Sequence, residues 1–296
     1  MKSVSLPALL ALGSAGVAWA EPAWTALPTE AGEDVVFADI HHGFYGTGEG
    51  KLYRTQDGGR TWEGIWSQPG LRSLAFLDAS RGFLGADTLH ETRDGGLTWH
   101  PADIGATAVP DIRSIDIAQP DCIHAAGQAK LLRSETRGQS WRLIDLSDRL
   151  DLITEVKFTA PDSGIVLGAR GDNALVLRTG DGGLTWREVY RAKKEAGSAG
   201  AASFPTPLIG YAILGRRIAR TLDGGESWID LPLVEAGQAI GFLTPDKGWI
   251  NGFETEDGGK SWKPSALAKS ANRIRTSSAD GTPMVYAIGS EVQIYR

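Results

Sequence analysis

One eight-residue phrase constrains this chain more than anything else in it. TQDGGRTW spans Thr55 to Trp62 and returns as TRDGGLTW (Thr92 to Trp99), TGDGGLTW (Thr179 to Trp186), TLDGGESW (Thr221 to Trp228) and TEDGGKSW (Thr255 to Trp262). A decayed copy, SETRGQSW, runs from Ser134 to Trp141. Alternating β formers lead in, as in Leu175-Val176-Leu177-Arg178-Thr179, and predict strands. Asp-Gly-Gly then turns the chain: a carboxylate accepts from amides one or two residues on, and glycine supplies the positive φ that a tight turn needs. The returning strand carries an aromatic able to remove on the order of 150–250 Å² from water against the next unit. Asp57, Asp94, Asp181, Asp223 and Asp257 are therefore expected to fix turns, and Trp62, Trp99, Trp186, Trp228 and Trp262 to staple units together.

The tryptophans of successive copies, Trp141 included, stand 37, 42, 45, 42 and 34 residues apart. Such an interval suits four short antiparallel strands and lies near the period of propeller blades. Glycine-rich, β-prone units without 3.6-residue periodicity argue against a helical solenoid. Upstream of each copy lies an apolar first strand, such as Leu71 to Phe76, which would line a central channel. A glycine-flanked second strand follows, such as Gly43-Phe44-Tyr45-Gly46, with glycine expected where neighbouring sheets approach closely. The chain ends supply one more unit. Arg273-Ile274-Arg275, Met284 to Gly289 and Glu291 to Tyr295 form three strands with no turn phrase after them, and Ala23-Trp24-Thr25-Ala26-Leu27 resembles the missing outer strand. The prediction is an all-β, seven-bladed β-propeller whose last blade is closed by the N- and C-terminal strands, which removes two exposed sheet edges. Two stretches break the pattern: Ala169 to Asn173 lengthens a hairpin, and Arg191 to Gly200 shows no strand pattern. The third copy, with Thr136 and Arg137 in place of Asp and Gly, is expected to turn more loosely.

Residues 1–20 carry one positive charge, Lys2, an apolar run from Val4 to Val17, and Ala18-Trp19-Ala20 ahead of Glu21. That is the layout of a secretory signal peptide cleaved after Ala20, leaving 21–296 as one propeller domain, periplasmic or secreted. With 36 acidic against 30 basic residues the net charge is −6, which disfavours nucleic acid as a partner. The lone Cys122 can form no internal disulfide and is expected as a small buried residue on a strand.

The T-x-D-G-G-x-T/S-W phrase resembles the Asp box of bacterial neuraminidase repeats. One box per short four-stranded unit in an exported chain resembles the photosystem II stability/assembly factor-like propellers, and the resemblance covers nearly the whole of 21–296. It implies a non-enzymatic, monomeric scaffold that binds a protein partner, possible clients being membrane or envelope complexes, with no cofactor. Some of those relatives are lipoproteins; no cysteine near Ala20 allows that here. Sialidases, other glycosidases and sorting receptors also carry the box, so a sialidase-like glycoside hydrolase or a glycan-binding propeller is the alternative.

Catalytic features are scarce. A sialidase needs an arginine cluster, a tyrosine nucleophile with a glutamate partner and an acid/base aspartate; its Arg-Ile-Pro signature is absent, and Arg273-Ile274-Arg275 lacks the proline. No catalytic residue is assigned. The adjacent His41 and His42 would point to opposite faces of a strand, and His90, His100 and His124 fall at unrelated blade positions, so no metal site is assigned. Arginines remain. Arg72 and Arg113 hold matching places two residues before Leu74 and Ile115, Arg273 lies one residue off that place, and Arg216 and Arg217 lead into a third strand. These five are the expected partner-binding residues, because guanidinium forks suit carboxylates and the polar rim of a protein.

Overall fold

The computed structural model describes residues 23–295 apart from 68, 106–108, 194–199, 233–236 and 280–281. The expected leader at 1–20 lies outside the described residues, as does most of the connection expected at 191–200. Among the described residues every regular element is a strand, and the strands form seven four-stranded antiparallel sheets. In chain order the blades span residues 34–67, 73–101, 112–145, 152–193, 201–230, 240–264 and 273–295, the last completed by 24–26. The fold is thus the seven-bladed β-propeller expected from the repeat.

Closure is made as the chain ends foretold. Trp24, Thr25 and Ala26 pair antiparallel with Tyr295, Ile294 and Gln293, and Leu27 donates its amide to the Val292 carbonyl at 2.8 Å. Trp24 meets Trp249 of blade 6 edge to face, with centroids 5.5 Å apart. It does the work of a box tryptophan in the blade that has no box.

The core is divided among the blade boundaries. One cluster joins Phe44, Leu52 and Trp66 of blade 1 to Leu74, Leu84 and Trp99 of blade 2, and another joins Leu131 and Ile144 of blade 3 to Val156 and Trp186 of blade 4. Aromatic stacks cross the same boundaries: Phe44 on Phe76 at 3.6 Å, His124 on Phe158 at 3.6 Å and Tyr211 on Phe242 at 3.4 Å. Each wedge buries its apolar faces only against its neighbours, so the ring is one cooperative body.

The glycines of the second strand differ in cause. Gly46 meets the expectation of a close neighbour, since a Cβ there would lie 2.5 Å from Leu71 at the edge of blade 2. Gly43 does not: its crowding comes from Phe37 of its own blade, whose ring would stand 2.6 Å from that Cβ. In blade 3 the strand begins instead at Cys122, buried as expected, after a register shift beside Gln119. Ala169 to Asn173 lengthens its hairpin as expected, by extending two paired strands with Arg170 opposite Asn173, but the other loop expectation changes. Arg191 to Lys193 is strand, closing Arg187–Lys193 against the third strand of blade 4.

Candidate functional site

Antiparallel order sends the turns within a blade alternately to opposite faces of the ring. The first-to-second and third-to-fourth turns share one face. The second-to-third turns and the blade-to-blade connections share the other, the mouth face.

The boxes occupy the first of these faces, as latches. In blade 1 the Thr55 hydroxyl donates to Asp57 Oδ1 at 2.8 Å and accepts from the Gly59 amide at 2.9 Å. Asp57 in turn accepts from the Thr61 amide at 2.9 Å and the Thr61 hydroxyl at 2.7 Å. The carboxylate therefore reaches four residues on, across the hairpin, instead of the one or two expected. Asp181 and Asp257 repeat these bonds, and the hydroxyls of Thr185 and Ser261 are the largest influence holding both carboxyls down to about 2. The amide of the first box glycine leaves the hairpin for the first-to-second turn of its own blade: Gly58 to His41 O, Gly95 to Ser80 O, Gly182 to Asp162 O, Gly224 to Leu208 O and Gly258 to Asp246 O, all at 2.8–3.0 Å. The tryptophans sit edge to face on phenylalanines, Trp62 on Phe37, Trp99 on Phe76, Trp186 on Phe158, Trp228 on Phe204 and Trp262 on Phe242.

The third box is not looser. Thr136 Oγ1 accepts from the Ser140 amide at 2.9 Å, Ser134 Oγ accepts from Gly138 at 2.8 Å, and Arg137 adopts the positive φ of 56° that glycine takes elsewhere. Neighbouring boxes are tied by arginines that the sequence reading passed over. Arg133 Nη1 donates to Pro161 O at 2.6 Å and Gly182 O at 2.9 Å in the next blade, and Arg178 Nε donates to Gly224 O at 3.0 Å. The available signal was an arginine immediately before the box Thr or Ser, at Arg54, Arg133, Arg178 and Arg220.

All five of the partner-binding candidates lie on the mouth face, in three separate settings. Arg72 and Arg113 share one acid, Asp111, with nitrogens 3.9 Å and 2.6 Å from its carboxylate. Arg216 and Arg217 sit at the outer rim between blades 4 and 5, where Arg217 pairs with Asp230 and the Tyr190 hydroxyl donates to the same carboxylate. Arg273 points into the channel. Strand phase decides this difference: the residue one place along a strand faces the other way, so Arg273 shares the level of Asp34 and Ser73, whereas Arg72 lies outside it.

The channel carries two clusters of paired charges. Asp34, fully buried, accepts from Arg273 Nη1 at 2.9 Å, Arg275 Nε at 2.8 Å and Nη2 at 2.5 Å, and the Leu74 amide at 2.7 Å. Burial pushes this carboxyl up, but the two guanidiniums and the amide outweigh it and leave it below the ordinary aspartate value. Blades 3 and 4 supply a second group: Lys157 Nζ lies 2.8 Å from Asp116 and 3.8 Å from Glu155, and Asp116 also accepts from the Phe158 amide at 2.8 Å. First-strand hydroxyls link successive blades as well, Ser73 to the Ile115 amide at 3.2 Å and Ser203 to the Phe242 amide at 2.9 Å. Beside these groups a cavity of about 370 Å³ opens toward blades 4 to 7.

Chemically this is an arrangement for holding charged groups. Among the described residues the carboxyl groups held away from their ordinary pKa are held below it, among them Asp34, Asp57, Asp94, Asp223 and Glu188, whereas a glycosidic general acid requires a raised pKa. Burial and Asp230 push Tyr190 up to about 12, the opposite of an activated nucleophile. Among the described residues no group of three or more His, Cys, Asp or Glu is placed to hold a metal.

Seven wedges around a charged channel, six of them latched by a box hairpin on one face, define an Asp-box β-propeller. The chain resembles the photosystem II assembly-factor propellers: the family model described as photosynthesis system II assembly factor YCF48 matches residues 64–152. Among solved structures, YCF48 bound to D1 peptide superposes with a TM-score of 0.69 at 18% identity, covering 98% of this chain and 99% of that one. YCF48 from Cyanidioschyzon merolae gives 0.71 at 15% identity over 93% and 99%. An ancestral GH74 enzyme gives 0.66 at 15% identity, over 92% of this chain but 46% of that one. No curated protein sequence matches. At these identities the structural likenesses show the fold alone.

Proposed function

We propose that this chain is a non-enzymatic, monomeric propeller, exported with loss of residues 1–20, whose mouth face holds a polypeptide of a membrane or envelope complex during its assembly or maintenance. The observation that carries it is the division of labour between the faces. Latches occupy one, while Arg72 and Arg113 share Asp111 on the other, Arg216 and Arg217 stand at its rim, and Arg273 points into the channel that opens there. Guanidiniums paired with one acid keep further donors for a partner's carboxylates and carbonyls. Likeness to a propeller solved with a bound peptide supports the same use of the fold. The lowered carboxyls and the raised Tyr190 weigh against the glycosidase alternative.

The test is affinity capture from detergent-solubilised membranes of the source organism, with wild type and the double variant Arg72→Glu/Arg113→Glu in parallel. Wild type should retain subunits of one membrane complex, and the variant should fold and lose them. Identical capture by both, or turnover of a sialoside or xyloglucan panel that is lost on Glu155→Gln, would overturn the assignment.

A further inference from the structure

The charges of the channel cancel in total but not wall by wall. On the blade 7 and blade 1 side two guanidiniums, Arg273 and Arg275, share the single carboxylate of Asp34. One positive charge is left over. On the blade 3 and blade 4 side two carboxylates, Asp116 and Glu155, share the single ammonium of Lys157. One negative charge is left over. Both walls border one cavity, Asp116, Glu155 and Lys157 on one side and Arg273 and Arg275 on the other.

The walls also differ in how fully they are engaged. Asp34 is saturated by five side-chain and backbone donors, whereas among the described residues the ion pair of Glu155 is the long 3.8 Å contact to Lys157. Arg273 commits a single Nη1 hydrogen bond to Asp34, which leaves the rest of its fork for another acceptor. Between these groups lie about 370 Å³ of cavity, with Thr154 and Gln238 also on its lining. That volume sits at the small end of ligand sites, or equals about a dozen waters at ~30 Å³ each.

An excess positive wall opposite an excess negative wall, across a space of that size, complements a molecule carrying both charges. We infer that the channel is a binding site for a small zwitterion of amino-acid to dipeptide size, its ammonium directed to Glu155 and its carboxylate to Arg273. A singly charged ligand satisfies one wall and leaves the other as it was, so recognition requires both ends. Charges drawn partly out of water strengthen this discrimination, because a charge left unmatched in a confined polar site is costly. The site lies apart from Arg72 and Arg113, and Arg273 is the one residue it shares with the proposed partner-binding set.

The test is titration calorimetry on the mature chain with glycine, alanine, glycylglycine and alanylalanine. The same dipeptides acetylated at the amine or amidated at the carboxylate serve as singly charged controls. At least one free zwitterion should bind below about 1 mM, and each blocked form should bind at least about tenfold more weakly. Glu155→Gln should reduce zwitterion affinity about tenfold without changing the melting temperature, and Arg273→Gln should do the same for the carboxylate end. Should Arg273→Gln fail to fold, Glu155→Gln alone decides. Absence of binding at about 10 mM, equal binding of blocked and free dipeptides, or unchanged affinity in Glu155→Gln would each overturn the assignment. Loss of membrane-partner capture in Arg72→Glu/Arg113→Glu has no bearing on this result.

Discussion

Replacing Asp34 by alanine removes the one carboxylate that holds the channel ends of blades 7, 1 and 2 together. Its oxygens accept from Arg273 and Arg275 on blade 7 and from the Leu74 amide on blade 2. In Asp34→Ala both guanidiniums lose their counter-ion, and they cannot turn freely to water, since their side chains are only 24% and 18% exposed. Breaking a buried pair by deleting one partner costs about 3–5 kcal/mol, and an orphaned amide adds about 1–3. The residual solvent access of both arginines and the non-additivity of neighbours place the total near 4 kcal/mol. For a chain of this size that is a fall in melting temperature of about 8 °C, measurable by tryptophan fluorescence. A second variant separates charge from packing. Asp34→Leu combined with Arg273→Met and Arg275→Met removes all three charges and should recover more than half of the loss, because apolar replacement of a buried ionic cluster is often neutral or better. An Asp34→Ala protein melting within about 2 °C of wild type, or a triple variant no better than the single one, would refute the counter-ion account.

Two further outcomes follow from buried groups. Burial pushes His124 down to about 4, so between that value and the ordinary 6.5 the unfolded chain binds a proton that the folded chain does not. Stability should be constant above pH 6.5 and fall as pH drops toward 4, by up to about 3 kcal/mol. In His124→Phe, which copies the Phe44 on Phe76 stack, urea titrations from pH 7 to 4.5 should show a flatter profile, and an unchanged slope would assign the loss to other groups. In the third box, Thr136→Asp restores two carboxylate oxygens opposite the Ser140 amide and hydroxyl, and charge-assisted bonds there should add about 1 kcal/mol, or about 2 °C in a thermal melt. A lower melting point would show that the backbone around Arg137 does not admit the carboxylate.

Local patterns carried most of the architecture. The box marks the third-to-fourth strand turn of a blade wherever it occurs, because its threonine, aspartate and glycines complete their bonds within eight residues, as in Thr55 to Trp62. Even its loss is local: Thr136 keeps the bonds with a shorter side chain and a neutral oxygen. The blade count followed from the spacing, and the closure from Trp24 imitating a box tryptophan. The Asp-box latches were legible for the same reason, although their second attachment, an amide to the first-to-second turn, was not.

What the sequence by itself determined is the kind of blade, the number of blades and the way the ring is shut, since each depends on contacts within about forty residues or on two ends that meet. Only the tertiary structure decided the channel. Asp34 and its arginines lie 239 and 241 residues apart, and whether an arginine enters the channel, like Arg273, or stays outside, like Arg72, depends on a one-residue difference in strand phase. Such phase is set by bulges and by pairing to a distant neighbour, and a repeat that varies from 34 to 45 residues does not specify it.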